Sequence, residues 1–169
     1  SAPAAAHDPR HSSFAKKLSY RGWVDLAVVV VARIERDSSL PRDVRSAIPI
    51  LMAEIELAKA DRESEPEKQK QFLDASIEKL KKFIGSEDSH PRIYEAYINI
   101  GFLKSRKAKL LVDLVETAKL PADHDRLRKE AISLYKEVAA DFDAQIVNWK
   151  RLPQDDQNAQ GAIMDARLE

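Results

Sequence analysis

Cysteine is absent from the 169 residues, which excludes disulfides, zinc–thiolate sites and thiol catalysis and leaves the compartment open. Glycine occurs only four times. That is too few for the turn-dense pattern of a β-sandwich, and it leaves little room for a phosphate-binding loop or a dinucleotide fingerprint. No nucleophile elbow is present either. An excess of one charge is also missing: 28 Lys and Arg balance 28 Asp and Glu, so no net field draws the chain to a phosphate backbone or an anionic membrane. The longest apolar run, Leu26 to Ala32, lies between Asp25 and Arg33 and falls far short of the roughly 20 residues that span a bilayer. These absences predict no nucleic-acid partner and no membrane insertion.

What is present is helix-forming. Hydrophobic residues make up 44% of the chain and charged ones 33%, with stretches rich in Ala, Leu, Lys and Glu, which predicts an all-α fold with a sizeable core. Three stretches share one apolar pattern: Asp25-Leu26-Ala27 into Val31 and Ile34, Leu73-Asp74-Ala75 into Leu80 and Phe83, and Lys129-Glu130-Ala131 into Leu134, Tyr135 and Val138. A small Ala where two helices approach, followed by larger groups one and two turns on, is what stacked helical hairpins require.

Residues 1–12, with Pro3 and Pro9 and no periodicity, read as a tail. The opening Ser1-Ala2-Pro3-Ala4-Ala5-Ala6 lacks the basic start and apolar core of a signal peptide. It fits either a disordered leader or the remnant of export cleavage, and the balance favours a periplasmic or exported protein over a cytoplasmic one. Residues 13–169 read as one helical domain of about six to seven helices, with hairpins at about 13–37, 41–85 and 91–151 and a last helix at about 157–169. Ser12 or Ser13 caps the first helix, Gly22 breaks it, and Trp23 to Ile34 form the second. Val28 to Val31 also admit a buried strand, but no second strand-like run exists to pair with it, so a helix buried on most sides is expected. Pro49 predicts a kink or break near Ala47, and Gly85 a helix stop. In the sixth helix Tyr135, Phe142 and Trp149 recur every seven residues, with Ala131 and Val138 offset by about half a heptad, which predicts a coiled-coil-like seam with the fifth. The last helical face, Ala159, Ala162, Ile163 and Ala166, is too small to bury itself alone and either covers the end of the stack or opens further sequence.

Arg21-Gly22-Trp23-Val24-Asp25-Leu26-Ala27, followed by Val31, Ile34 and Pro41, resembles the second half of a tetratricopeptide repeat, and Lys129-Glu130-Ala131 through Tyr135 and Val138 is similar to the same segment. Residues 13–169 as a whole resemble tetratricopeptide-like arrays of large bacterial proteins. Ala27, Ala75 and Ala131 are spaced by 48 (75 − 27) and 56 (131 − 75) residues against a family unit of about 34, so the hairpins are irregular and elongated. The middle copy lacks the preceding glycine and has Lys79 where the family has a large apolar residue. The resemblance implies a protein-binding or spacer role and carries over no catalytic residues.

His7 and His11 have the spacing of two helical metal ligands, but Pro9 lies between them in the tail. Glu87 and His90 have the Glu-x-x-His spacing of a di-iron bundle, yet Gly85 and Pro91 put them in a loop and no second copy exists. Asp123, His124 and Asp125 suit the start of the sixth helix. The basic run Lys104 to Lys109 scatters its charges around a helix and reads as solvated surface. Phe14, Trp23, Phe72, Phe83, Tyr135 and Phe142 read as core, while Tyr94 and Tyr97 are core or line a groove. No catalytic, cofactor-binding or metal residue is therefore assigned, and no cofactor is expected. The expectation is a non-enzymatic protein–protein interaction or spacer module, its partner another protein or further repeats of the same chain. The alternative is a helical-bundle enzyme or small-ligand domain with a buried polar pocket.

Overall fold

A computed structural model describes residues 9–87 and 89–149, with side chains from Ser13 to Ile146. The fold is all-α: α1 (Pro9–Tyr20), α2 (Val24–Arg36), α3 (Arg42–Ser46), α4 (Ile48–Ala60), α5 (Pro66–Ser86), α6 (Ile93–Thr117) and α7 (Pro121–Trp149). Helices adjacent in sequence pack mostly as antiparallel pairs. Two compact units are present, one ending at Arg92 and one beginning at Ile93. The predicted helix at 157–169 lies outside the described residues, as do residues 1–8 and the Trp149 side chain.

In the first unit, Gly22 ends α1 at φ +83°, where the Trp23 N–H reaches the Leu18 carbonyl and the Gly22 N–H reaches that of Ser19, both at 2.9 Å. This pair of bonds is the Schellman cap, and its left-handed residue is best a glycine, which has no Cβ to strain. Ala15, Leu18, Ala27, Val31, Ile34, Val44, Leu51 and Ile55 form one core among α1 to α4. Each large side chain so buried contributes on the order of 1.5–3 kcal/mol. α4 packs against α1, α2 and α5. This is why its apolar residues occupy most of its circumference and it buries Ile50, Leu51, Ala53, Ile55 and Ala60. As expected from Pro49, the helix is interrupted at Ala47, and the proline sits in the first turn of α4, where its missing N–H costs nothing.

The second unit is the α6–α7 hairpin. Leu111, Leu127 and Ala131 form its core, with Leu114, Val115, Ala118 and Leu134 packed around them. The His124 side chain closes the connection, its Nε2 lying 2.8 Å from the Ala118 carbonyl, so the residue does more than sit in an acidic first turn.

Several expectations are corrected. α1 starts at Pro9 rather than Ser13, because proline at the first helical position has a suitable φ and no donor to lose. Gly85 does not stop α5, which runs through it to Ser86. The valine run is helical, but only Val31 is buried and Val29 is 63% exposed, since neighbours cover one side of α2 only. Phe14, Trp23 and Tyr135 are exposed and not core. Of the expected α7 seam, Ala131 and Val138 are buried, with Leu127 beside them, and Phe142 packs against Gly101 of α6, whereas Tyr135 stays exposed.

Candidate functional site

The pattern is met in part: the first copy is buried as expected, the second with one change of register, and the third at Ala131 and Val138 but not at the exposed Tyr135. Ala27 and Ala131 are buried, whereas Ala75 is only half-buried and the close approach on α5 is made by Ser76. Ser76 Oγ donates to the Ala53 carbonyl of α4 at 3.0 Å. Counting from Ser76, Leu80 and Phe83 fall four and seven residues on, as Val31 and Ile34 do from Ala27. A hydroxyl that satisfies itself on a neighbouring helix carbonyl can stand where alanine does, and a search for small apolar residues misses it. Lys79, the polar departure in this copy, reaches Glu56 of α4 at 3.6 Å, and Lys59 holds the same carboxylate oxygen at 3.3 Å. The buried Glu56 is thereby compensated by two ammonium groups.

The basic run is not simply solvated surface. Lys104 Nζ lies 2.7 Å from Asp141 Oδ2 and 3.1 Å from Glu137 Oε2, and Lys107 lies 3.8 Å from Glu130, so two of its cations bind α6 to α7. Burial draws the Lys104 pKa down, but the hydrogen bonds and charges of Asp141 and Glu137 outweigh it and leave the value above that of ordinary lysine. These acidic partners come from a separate helix, so the local sequence around the run does not announce them.

One cleft in the first unit gathers polar groups. A cavity of about 580 Å³ is lined by Arg42, Arg45, Ser46, Phe83 and Glu87 among others, and an adjoining one of about 440 Å³ shares Arg42 and Glu87 and reaches His90. Two of its ionisable groups, Glu87 and His90, reach α3 from the segment that follows α5. Arg42 and Glu87 approach to 3.8 Å, and Arg45 Nε donates to the Leu40 carbonyl at 3.3 Å. The buried His90 accepts the Arg92 N–H at Nδ1 (3.0 Å), so its proton is on Nε2, which donates to the Asp43 carbonyl at 2.9 Å. Its ring meets Phe83 edge-on at 5.0 Å. A base with both nitrogens engaged by backbone cannot take a substrate proton without releasing this corner. Glu87 and His90 thus act in the cleft as struts. His11 lies in α1 and His7 outside the described residues. No group of three metal-ligating side chains occurs among the described residues. Tyr94 and Tyr97 are both half-buried on α6.

Two apolar lines face solvent. On α2 and its first flank, Trp23, Leu26 and Val29 recur every three residues and all are exposed. On α7, Ile132, Tyr135 and Ile146 are exposed, and Phe102 and Val112 are exposed on α6. No described helix is long and apolar enough to cross a membrane. No family model, no curated protein and no solved structure matches this chain.

Proposed function

We propose that the chain is a tetratricopeptide-like helical module that binds another protein or spaces the parts of a larger assembly, and that it is not an enzyme. The small-residue register at Ala27, Ser76 and Ala131 supports the repeat-like reading. The observation that carries the binding role is the line of Trp23, Leu26 and Val29, exposed on a helix whose opposite side is already buried in the core. A photo-crosslinking residue at Val29, with Glu35 as an exposed control, tests it in the native host. The expected result is one recurring protein adduct at position 29, lost when Leu26→Asp is added. Equal labelling at both positions, or no protein adduct at all, removes the reading.

The cleft beside Arg42, Arg45 and Glu87 is the feature that favours a small-ligand domain instead. A metabolite that raises the melting temperature in the parent protein but not in Arg42→Ala would establish that alternative.

A further inference from the structure

The exposed line on α7 has a pattern of its own. Ile132, Tyr135, Ala139, Phe142 and Ile146 are separated by three, four, three and four residues, so they form one heptad stripe along the helix. Ile132, Tyr135, Ala139 and Ile146 are exposed, and Phe142 is half-buried. The stripe runs beside the seam toward α6 and touches it at Phe142. Phe142 marks its inner edge: its ring packs where a Cβ on Gly101 would stand and meets the Phe102 ring edge-on at 6.1 Å. Lys104, Glu137 and Asp141 pair on the other flank of the hairpin.

Read outward from Ala139, the stripe nearly mirrors itself. An isoleucine stands seven residues away on each side, and an aromatic stands four residues before and three after. The charges bordering it are complementary in the same sense, with Lys136 three residues before the centre and Asp143 four after. Both are exposed, and neither makes an ion pair with any described residue. A self-mirroring stripe with a small residue at its centre and opposite charges on its two halves is complementary to its own antiparallel copy. The neighbouring helix agrees. Gly101 meets Phe142 and Lys104 meets Asp141, which puts Ser105, another small residue, at about the level of Ala139. Phe102 and Val112 flank it on the same side.

We propose that the α6–α7 hairpin pairs with a second copy of itself through this flank, as an antiparallel four-helix arrangement whose two-fold axis passes beside Ala139 and Ser105. Ile132 then faces the second copy's Ile146, Tyr135 the second copy's Phe142, and Lys136 the second copy's Asp143. The inference deepens the protein-binding reading by naming the partner of one surface.

The test uses the full chain. Light scattering after size exclusion at micromolar concentration should give twice the chain mass. Because the chain has no cysteine, Ala139→Cys should oxidise cleanly to a covalent dimer, while Ser133→Cys, exposed elsewhere on α7, should not. Lys136→Asp should weaken association about tenfold by setting like charges side by side, and adding Asp143→Lys should restore it. The two positions lie seven residues, about 10 Å, apart on one helix, so the rescue cannot arise within a single chain. Helix content by circular dichroism should be equal in all variants, since every changed side chain is exposed. A chain of single mass, whether its stripe is covered by residues 150–169 or by an unrelated helix, overturns the proposal, as does equal oxidation of the two cysteine variants. Failure here leaves the crosslinking at Val29 to judge the wider reading on its own.

Discussion

Gly22→Ala should destabilise the first unit by an amount that can be worked out from three opposing terms. The φ of +83° costs an L-residue about 1–2 kcal/mol. A Cβ there would also fall on the Arg62 guanidinium, whose Nη1 donates to the Gly22 carbonyl at 2.5 Å. Arg62 is exposed and can swing away, so the added cost is the loss of that hydrogen bond, about 0.5–1.5 kcal/mol. Against these stands the smaller conformational freedom of alanine in the unfolded chain, worth about 0.4–1 kcal/mol. The net loss is about 0.5–3 kcal/mol, centred near 2. Urea unfolding in a Trp149→Phe background isolates the signal of Trp23, the residue after the glycine and part of the same cap. Arg62→Ala alone should cost about 0.5–1 kcal/mol. The double variant should cost less than the sum of the two, because Gly22→Ala has already displaced the arginine. Gly22→Asn should lose less than Gly22→Ala, since asparagine tolerates this backbone region better. A Gly22→Ala midpoint equal to that of the parent, or strict additivity with Arg62→Ala, would refute the account of this cap.

Leucine at Ala27, Ser76 or Ala131 should overpack a helix contact and cost about 1–3 kcal/mol in chemical denaturation, whereas leucine at the half-buried Ala75 should cost little; equal costs at Ala75 and Ser76 would put the register back where the sequence alone placed it. Ser76→Ala, which deletes only the hydroxyl donating to the Ala53 carbonyl, should cost about 1 kcal/mol by the same measurement. Lys104→Met should cost about 0.5–1 kcal/mol at neutral pH, because Asp141 and Glu137 are largely hydrated once unpaired. The Lys104 pKa is raised on folding, so its contribution is full below the ordinary lysine value of 10.5 and is lost as pH climbs through the higher folded value; unfolding midpoints of parent and variant should stay parallel to about pH 10 and converge only above it.

Where the helices stop and start was legible from local chemistry. Gly22, Pro49, Pro66 and Pro121 each sit at a helix end or beginning, because ring closure and a missing Cβ act on the backbone of the residue that carries them. The break at Ala47 and the placement of Ala27 and Ala131 at close contacts follow from the same short-range reading. Gly85 shows its limit: a glycine inside a helix costs only about 1 kcal/mol, and the burial of Leu80 and Phe83 outweighs it.

Which faces are covered was decided by tertiary structure. An apolar residue on a helix wheel announces a preference for burial, but only the number and position of neighbouring helices says whether it is met. Val29 has the same side chain as the buried Val31 and Val44, and Trp23 and Tyr135 carry large rings, yet all three remain exposed, since α2 and α7 are packed on one side each. The ion pairs follow the same logic. Lys79 and Lys104 look like surface charges in sequence, and their partners Glu56, Glu137 and Asp141 lie on other helices, brought within reach by the antiparallel return of the chain. The sequence by itself determined the helices and most of their ends, because those depend on bonds within a few residues. The register between helices, and with it the polar contacts and the apolar flanks left facing water, depended on packing across long separations, which no local signal encodes.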